Sequence, residues 1–444
     1  MHGLVGHSPA GPVDSLAALE QRTHVLVLDG HGGHMLDLVD QLVRTFGTAG
    51  VITLTCACVY WYCSQVRRDL LRILAGMPRA CGSPEDCMDL DGALREMIEW
   101  FHGAHFSGLQ RDDYRNALED QGHRQAFVGR FSHVVRRFDF VFCQNPLALC
   151  SYFLPAADVR VIARVTHRCD YFACSQSSRD VIGQDLRWIK SRGQVYTSSR
   201  LDRRYLHEFY NISAQLWPSL SLYASAPGAL VAPPDLPGGP GEEEVLVLPN
   251  ILRNDYPCMP ALQRCLADIR QRALELGIAK RFVHLREAHG EDYELQDLRR
   301  HRVALVLPYT TPIAAVDEAH ALGLTLLVPS PKLLARWHRR EHVLCLLSTP
   351  CLLGDDKFKG QSLVKWLRLS EVYRRPGVFA FASIDELLVL VEAKTKEARP
   401  TSERPRHLER QLERSAEMLR RELRRQTDLL IRAILDRYEG HQVG

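Results

Sequence analysis

Short apolar runs alternate along this chain with stretches whose apolar positions recur every three or four residues. Residues 24–29 (HVLVLD) are apolar on both faces of a pleat and stop at Gly30, which predicts a short strand covered on both sides. After it, the apolar positions 35, 36, 38, 39, 42, 43 and 46 fall on one face of a helix over 35–46. Further strands are predicted at 51–59, 138–143, 159–165 and 195–198, the last followed by a helix over 200–209. Residues 60–137 mix charges with scattered aromatics and read as helices joined by loops.

The rhythm restarts at residue 245. Strands are predicted at 245–248, 281–285, 303–307 and 324–328. Between them fall helices over 259–276, closed by Gly277, over 294–300, and over 313–322, closed by Gly323. A later helix begins at Ser383 (SIDELLVLVE), with a serine cap and an acidic first turn that offset unpaired N–H groups. Strand–helix alternation on this scale implies parallel sheets with helices on both faces.

Between the two series lies APGALVAPPDLPGGPGEE, residues 226–243, where proline and glycine exclude a helix or central strand. A chain of 444 residues also exceeds what one core ordinarily holds. The expected fold is therefore α/β with two doubly wound, Rossmann-like domains facing a cleft. The divisions are 1–225, a linker at 226–243, a second domain at 244–400, and a C-terminal helix within 401–444. In that tail, leucines at 408, 412, 419, 423 and 430 and Ile434 recur at spacings of four and seven. An amphipathic helix docked on the body is the reading preferred over a coiled-coil seam.

Composition narrows the partners. The 56 basic and 53 acidic residues nearly cancel, so a nucleic-acid partner is not expected. No run approaches the roughly 18 apolar residues of a membrane-spanning helix, and the N-terminus lacks the pattern of a signal peptide. Several of the 13 cysteines, Cys56, Cys58, Cys143 and Cys345 among them, lie inside apolar stretches. They read as buried thiols in a reducing, cytoplasmic compartment. Cys56 and Cys58 lack a second pair at zinc spacing, and no metal site is expected.

Candidate chemistry gathers at predicted strand ends. Asp29-Gly30-His31-Gly32-Gly33-His34 joins the first strand to its helix; its glycines admit a close ligand, and a helix start favours an anion. The spacing is not that of a dinucleotide fingerprint. Arg164-Val165-Thr166-His167-Arg168 ends another first-half strand, where His167 suits a general base or a phosphate contact. In the second half, Tyr309, Thr310 and Thr311 precede the helix carrying Glu318. Hydroxyls and free N–H groups there suit a diphosphate, and the carboxylate suits a ribose diol. Arg253 and Arg286 follow neighbouring strands and are placed to neutralise phosphates. No P-loop, serine elbow or H-E-x-x-H motif occurs.

Residues 293–330 (YELQDLRRHRVALVLPYTTPIAAVDEAHALGLTLLVPS) resemble the donor-binding half of GT-B glycosyltransferases. A poorly characterised eukaryotic glycosyltransferase-like family is similar again, through Asp297, Leu298, His301, Pro308, Tyr309, Glu318, Gly323, Val328, Pro329 and Ser330. Leu201 to Tyr205, Pro218 to Tyr223 and the run WLRLSEVYRRP extend the likeness. The resemblance implies a metal-independent glycosyltransferase without a cofactor, using a UDP- or GDP-sugar donor and an acceptor that is a glycan, protein or lipid. His34 or His167 would be its base. The alternatives are an inactive GT-B scaffold that binds carbohydrate or a protein partner, or a GT-B-type sugar-nucleotide epimerase.

Overall fold

The computed structural model describes residues 23–29, 32–46, 52–58, 73, 92–101, 121–144, 147–154, 159–166, 176–217, 219, 221–225, 244–248, 258–290, 295–309, 313–344, 360–375 and 377–397. Two parallel sheets organise them. The first joins β1 (Thr23–Asp29), β2 (Ile52–Cys58), β3 (Phe140–Cys143), β4 (Arg160–Val165), β5 (Gln194–Thr197) and β6 (Gln215–Leu216) in the order β2-β1-β3-β4-β5-β6. The second joins β7 (Glu244–Leu248), β8 (Arg281–His284), β9 (Val303–Val306), β10 (Thr325–Pro329) and β11 (Val378–Phe381) in the order β11-β10-β9-β7-β8. Every strand pairing is parallel.

The two orders share one plan. Each series starts in the middle of its sheet, places its second strand on one side, and adds the rest on the other. The reversal falls between β1 and β3 in the first sheet and between β7 and β9 in the second. This is the doubly wound arrangement, and such reversals mark where ligands enter.

The helices are, in the first half, α1 (Gly32–Phe46), α2 (Gly92–Phe101), α3 (Gln121–Val135), α4 (Ala148–Phe153), α5 (Gln176–Arg192) and α6 (Arg200–Tyr210). The second half has α7 (Met259–Glu275), α8 (Leu285–His289), α9 (Ala314–Ala321), α10 (Pro331–Glu341), α11 (Gly360–Leu367) and α12 (Ile384–Glu397). Short 3-10 turns lie at Leu222–Ser225, Leu295–Arg300 and Glu371–Arg374. The central strands are sealed: Val25, Leu26, Val27 and Leu28 are buried, as are Val245 through Leu248. Each such apolar side chain contributes about 1.5–3 kcal/mol relative to exposure. Gly323, at φ 83°, turns the chain from α9 into β10, a conformation that disfavours any residue with a Cβ.

Several expectations need adjustment. The strand predicted at 281–285 stops at His284, because Leu285 already opens α8. Two short edge strands, β6 and β11, and the helices α5, α10 and α11 were not anticipated from periodicity. Cys143 is not a free thiol: it is bonded to Cys150 in α4, with Cα atoms 5.6 Å apart. Cys258 is disulfide-bonded as well, whereas Cys56 and Cys265 are free and buried. Disulfides are rare in a reducing cytosol, so the cysteines give the cytoplasmic expectation no support. Among the described residues, no helix is long and apolar enough to cross a membrane. The tail helix expected within 401–444 and the linker 226–243 lie outside the described residues.

Candidate functional site

The carboxyl edges of the two sheets meet. Ser198 and Ser199, just past β5, and Pro308, just past β9, line one cavity together with Asp317, Tyr373 and Arg375. Its volume is about 30 Å³, room for a water or two but not for a nucleotide. A seam of buried polar groups surrounds it.

On the first-half side the seam is built on α1. This helix is buried on nearly its whole circumference: Leu36, Asp37, Leu38, Val39, Asp40, Gln41 and Leu42 are all closed to solvent. Asp37 accepts a hydrogen bond from Arg164 Nη2 at 2.8 Å and another from the Ser221 backbone N–H at 2.7 Å. Both side chains of that ion pair are 1% exposed. The guanidinium also donates through Nη1 to Gln144 Oε1 at 3.2 Å and through Nε to the Trp217 carbonyl at 3.1 Å. Trp217 Nε1 in turn donates to Gln41 Oε1 at 2.6 Å. Charges taken out of water need such complete pairing.

The second-half side is built on α9 and the turn at Glu371–Arg374. Asp317 is paired with Arg375 Nη2 at 2.6 Å, and the same nitrogen donates to the Ser219 carbonyl at 3.0 Å. Burial pushes the Asp317 carboxyl up to about 6, outweighing the pull of Arg375 toward the charged form; Asp37 adds to the push. Glu318 accepts from the Tyr223 hydroxyl, a bond that links the two halves. Burial and then the Glu318 charge hold that hydroxyl well above its usual range. Glu371 Oε1 accepts from the Arg200 backbone N–H at 3.1 Å, a third link across the seam.

The residues singled out from sequence divide into three groups. Glu318 lies in the seam, half-buried, and Tyr309 is half-buried at the end of β9. Gly32 and Gly33 open α1 right after β1; His34 follows, 4% exposed, its carbonyl accepting from Gln144 Nε2 at 3.1 Å. Arg286 is the second residue of α8, just past β8. Gly30, His31, His167, Arg253, Thr310 and Thr311 lie outside the described residues. The described neighbours put these positions after β1, β4, β7 and β9, three of which border a strand-order reversal.

Sequence reasoning missed Asp37, Asp317, Tyr223 and Arg375, and took Arg164 only as a strand end. One signal was available for the first. His34, Asp37 and Gln41 recur at spacings of three and four among the helix's apolar positions, which is one polar strip on a helix face. No comparable pattern marks Arg375.

The class is thus an α/β protein with two doubly wound, Rossmann-like parallel sheets that meet at their carboxyl edges. No protein-family model matches the sequence, and no curated protein matches it. Among solved structures, the chain is similar to the glycotransferase of kitacinnamycin at 13% identity, covering 93% of this chain and 99% of that one, with a TM-score of 0.41. It is also similar to a UDP-N-acetylglucosamine 2-epimerase at 13% identity, covering 84% and 97%, with a TM-score of 0.36. The fold assignment rests on the strand order rather than on these likenesses.

Proposed function

We propose that the protein is a sugar-nucleotide enzyme that transfers a sugar from a UDP- or GDP-sugar to an acceptor hydroxyl. The observation that carries this reading is the meeting of the two carboxyl edges, with Ser198–Ser199 on one side and Pro308 on the other. Ligands of doubly wound sheets bind at that edge. Two such edges facing each other suit a reaction between two substrates.

In this reading the second half holds the nucleotide. N–H groups at the start of α9, with Tyr309, Thr310 and Thr311, take the diphosphate, and Arg253 and Arg286 neutralise it. Glu318, one of whose oxygens accepts from Tyr223, accepts from the ribose hydroxyls. The acceptor lies against the glycine loop Gly30–Gly33. Its oxygen forms a bond to the anomeric carbon as the bond from that carbon to the diphosphate breaks, and its proton passes to a base. His34 or His167 is that base. His34, at 4% exposed, reaches an acceptor only if the seam opens.

Titration calorimetry with UDP and GDP tests the donor site. Glu318→Gln keeps the shape and the Tyr223 contact while removing the charge, and is expected to weaken binding about tenfold, or roughly 1.4 kcal/mol. Unaltered affinity would take Glu318 out of the site. Product analysis with a panel of nucleotide sugars separates the alternatives: a conjugate or free sugar supports transfer, an altered nucleotide sugar supports an epimerase, and no binding supports an inactive scaffold.

A further inference from the structure

Beside the seam, a groove of about 1110 Å³ runs between α6 and α11. We propose that it binds a soluble, compact, multiply phosphorylated small molecule. The proposal is independent of the transferase reading.

Charge is the first argument. Arg200, Arg203 and Arg204 line one wall from α6, with His207 beyond them; Lys365 and Arg374 line the other from the second half. Among the described lining residues, Glu208 is the only carboxylate. Arg204 is paired with Glu208, and Arg200 with Glu371 at 3.6 Å. Arg203, Lys365 and Arg374 have no carboxylate partner among the described residues, and all three are exposed. Arg200, Arg203 and Arg204 fall on one face of α6, where like charges repel. Such a face is relieved by a ligand anion. Because the cations come from two opposing walls, a ligand with several phosphates neutralises both at once, which a single small anion cannot.

The apolar lining decides the kind of anion. Trp366 is 6% exposed, its ring packed 6.4 Å from both Tyr205 and Phe209. Ile212 and Leu216 are buried as well. Among the described lining residues, no exposed ring is offered on which nucleic-acid bases would stack. Among the described lining residues, no exposed apolar side chain is offered for a bilayer to receive. The volume is near the upper end of ordinary small-molecule sites.

The test uses the full chain and myo-inositol hexakisphosphate as probe, by titration calorimetry at about 0.15 M salt, where surface charges are screened beyond roughly 8 Å. Saturable binding is expected, weakened at least about tenfold by Arg203→Glu with Lys365→Glu. A control pair on the far end of α10, Arg339→Glu with Arg340→Glu, should leave it unchanged. Neither pair should alter UDP or GDP affinity, so failure here and failure of the donor site are read separately. Equal losses from both pairs, or none from the groove pair, would overturn the proposal. So would a wild type that prefers phosphoinositide vesicles or a single-stranded oligonucleotide to the soluble probe. If thermal melting shows the reversed pair to be misfolded, Arg203→Gln with Lys365→Gln is held to the same criterion.

Discussion

Arg164 is the most demanding residue in the seam, and replacing it with methionine isolates its role. The side chain is 1% exposed and donates to three acceptors: Asp37, Gln144 and the Trp217 carbonyl. Its charged carbon also stands 5.9 Å from the Trp217 ring centre. Methionine fills much of the same volume without a donor. Asp37 then keeps the Ser221 N–H but loses the guanidinium that faces its carboxylate. Breaking a buried pair in this way costs about 3–5 kcal/mol. For a domain of about 200 residues that corresponds to a fall of roughly 6–20 °C in melting temperature. Urea unfolding followed by circular dichroism measures the loss, and an unchanged slope shows that stability has moved rather than the surface exposed. Arg164→Lys should recover little, because an ammonium cannot hold three acceptors in the fork geometry. Arg164→Met combined with Asp37→Asn should recover most of the loss, since it removes the stranded charge and keeps an acceptor for Ser221. A loss below about 1 kcal/mol in the single variant would refute the account of Asp37 as dependent on this guanidinium.

Other perturbations bear on the seam and on pH. Tyr223→Phe deletes the hydroxyl that bridges to Glu318 and should cost about 1.5 kcal/mol in urea unfolding, at the low end for a bond to a charged group because half-buried Glu318 regains water. His338 accepts the Leu344 N–H on Nδ1 at 3.2 Å, and burial, with His342 adding, pulls it down from 6.5 to about 4. The unfolded chain therefore binds the extra proton first, and stability should fall as pH drops from about 6.5 to 4, by up to about 1.4 kcal/mol per unit. His338→Gln should flatten that limb in denaturation curves taken across the window. Asp317 has the opposite sign: its carboxyl is raised from 3.8 to about 6, so the native state holds the proton longer and stability should fall as pH rises through that interval. Asp317→Asn should remove this second dependence.

The fold was legible wherever the chain makes long or fully buried elements. Residues 24–29 and 245–248 read as strands because they are apolar on both faces, and β1 and β7 match them to within a residue. Gly277 and Gly323 were legible as helix ends because only a residue without a Cβ adopts their positive φ cheaply. The elements missed have physical reasons. β6 is two residues long and β11 is four, too short for any period to show. Helix α10 carries the usual start signals, Ser330 as cap accepting from the Leu333 N–H and Pro331 in the first turn. Cys143 was hydrophobic in its strand by every local measure, and only the chain's return through α4 brings Cys150 beside it.

The strand ends were legible, but not what they touch. A strand end is a local property of sequence, and the glycine, histidine and hydroxyl clusters were read from that property alone. What those ends touch is not local. Glu318 was placed in the second half from a helix start and a spacing, yet its hydrogen-bond donor is Tyr223, 95 residues earlier and in the other half. Asp37 and Arg164 are 127 residues apart, and Asp317 and Arg375 are joined only once the turn before β11 is in place. Each of these carboxylates would look, by local reading, like an ordinary solvated helix residue. Their burial follows from the packing of α1, the turn Leu222–Ser225 and α9 against one another, which no window of sequence contains. Closing the seam in this way places four charges, Asp37, Arg164, Asp317 and Arg375, where each depends on the next. Any substrate that enters between the sheets must therefore supply hydrogen bonds to replace those it separates, and a diphosphate between arginines and helix N–H groups is chemically able to do so.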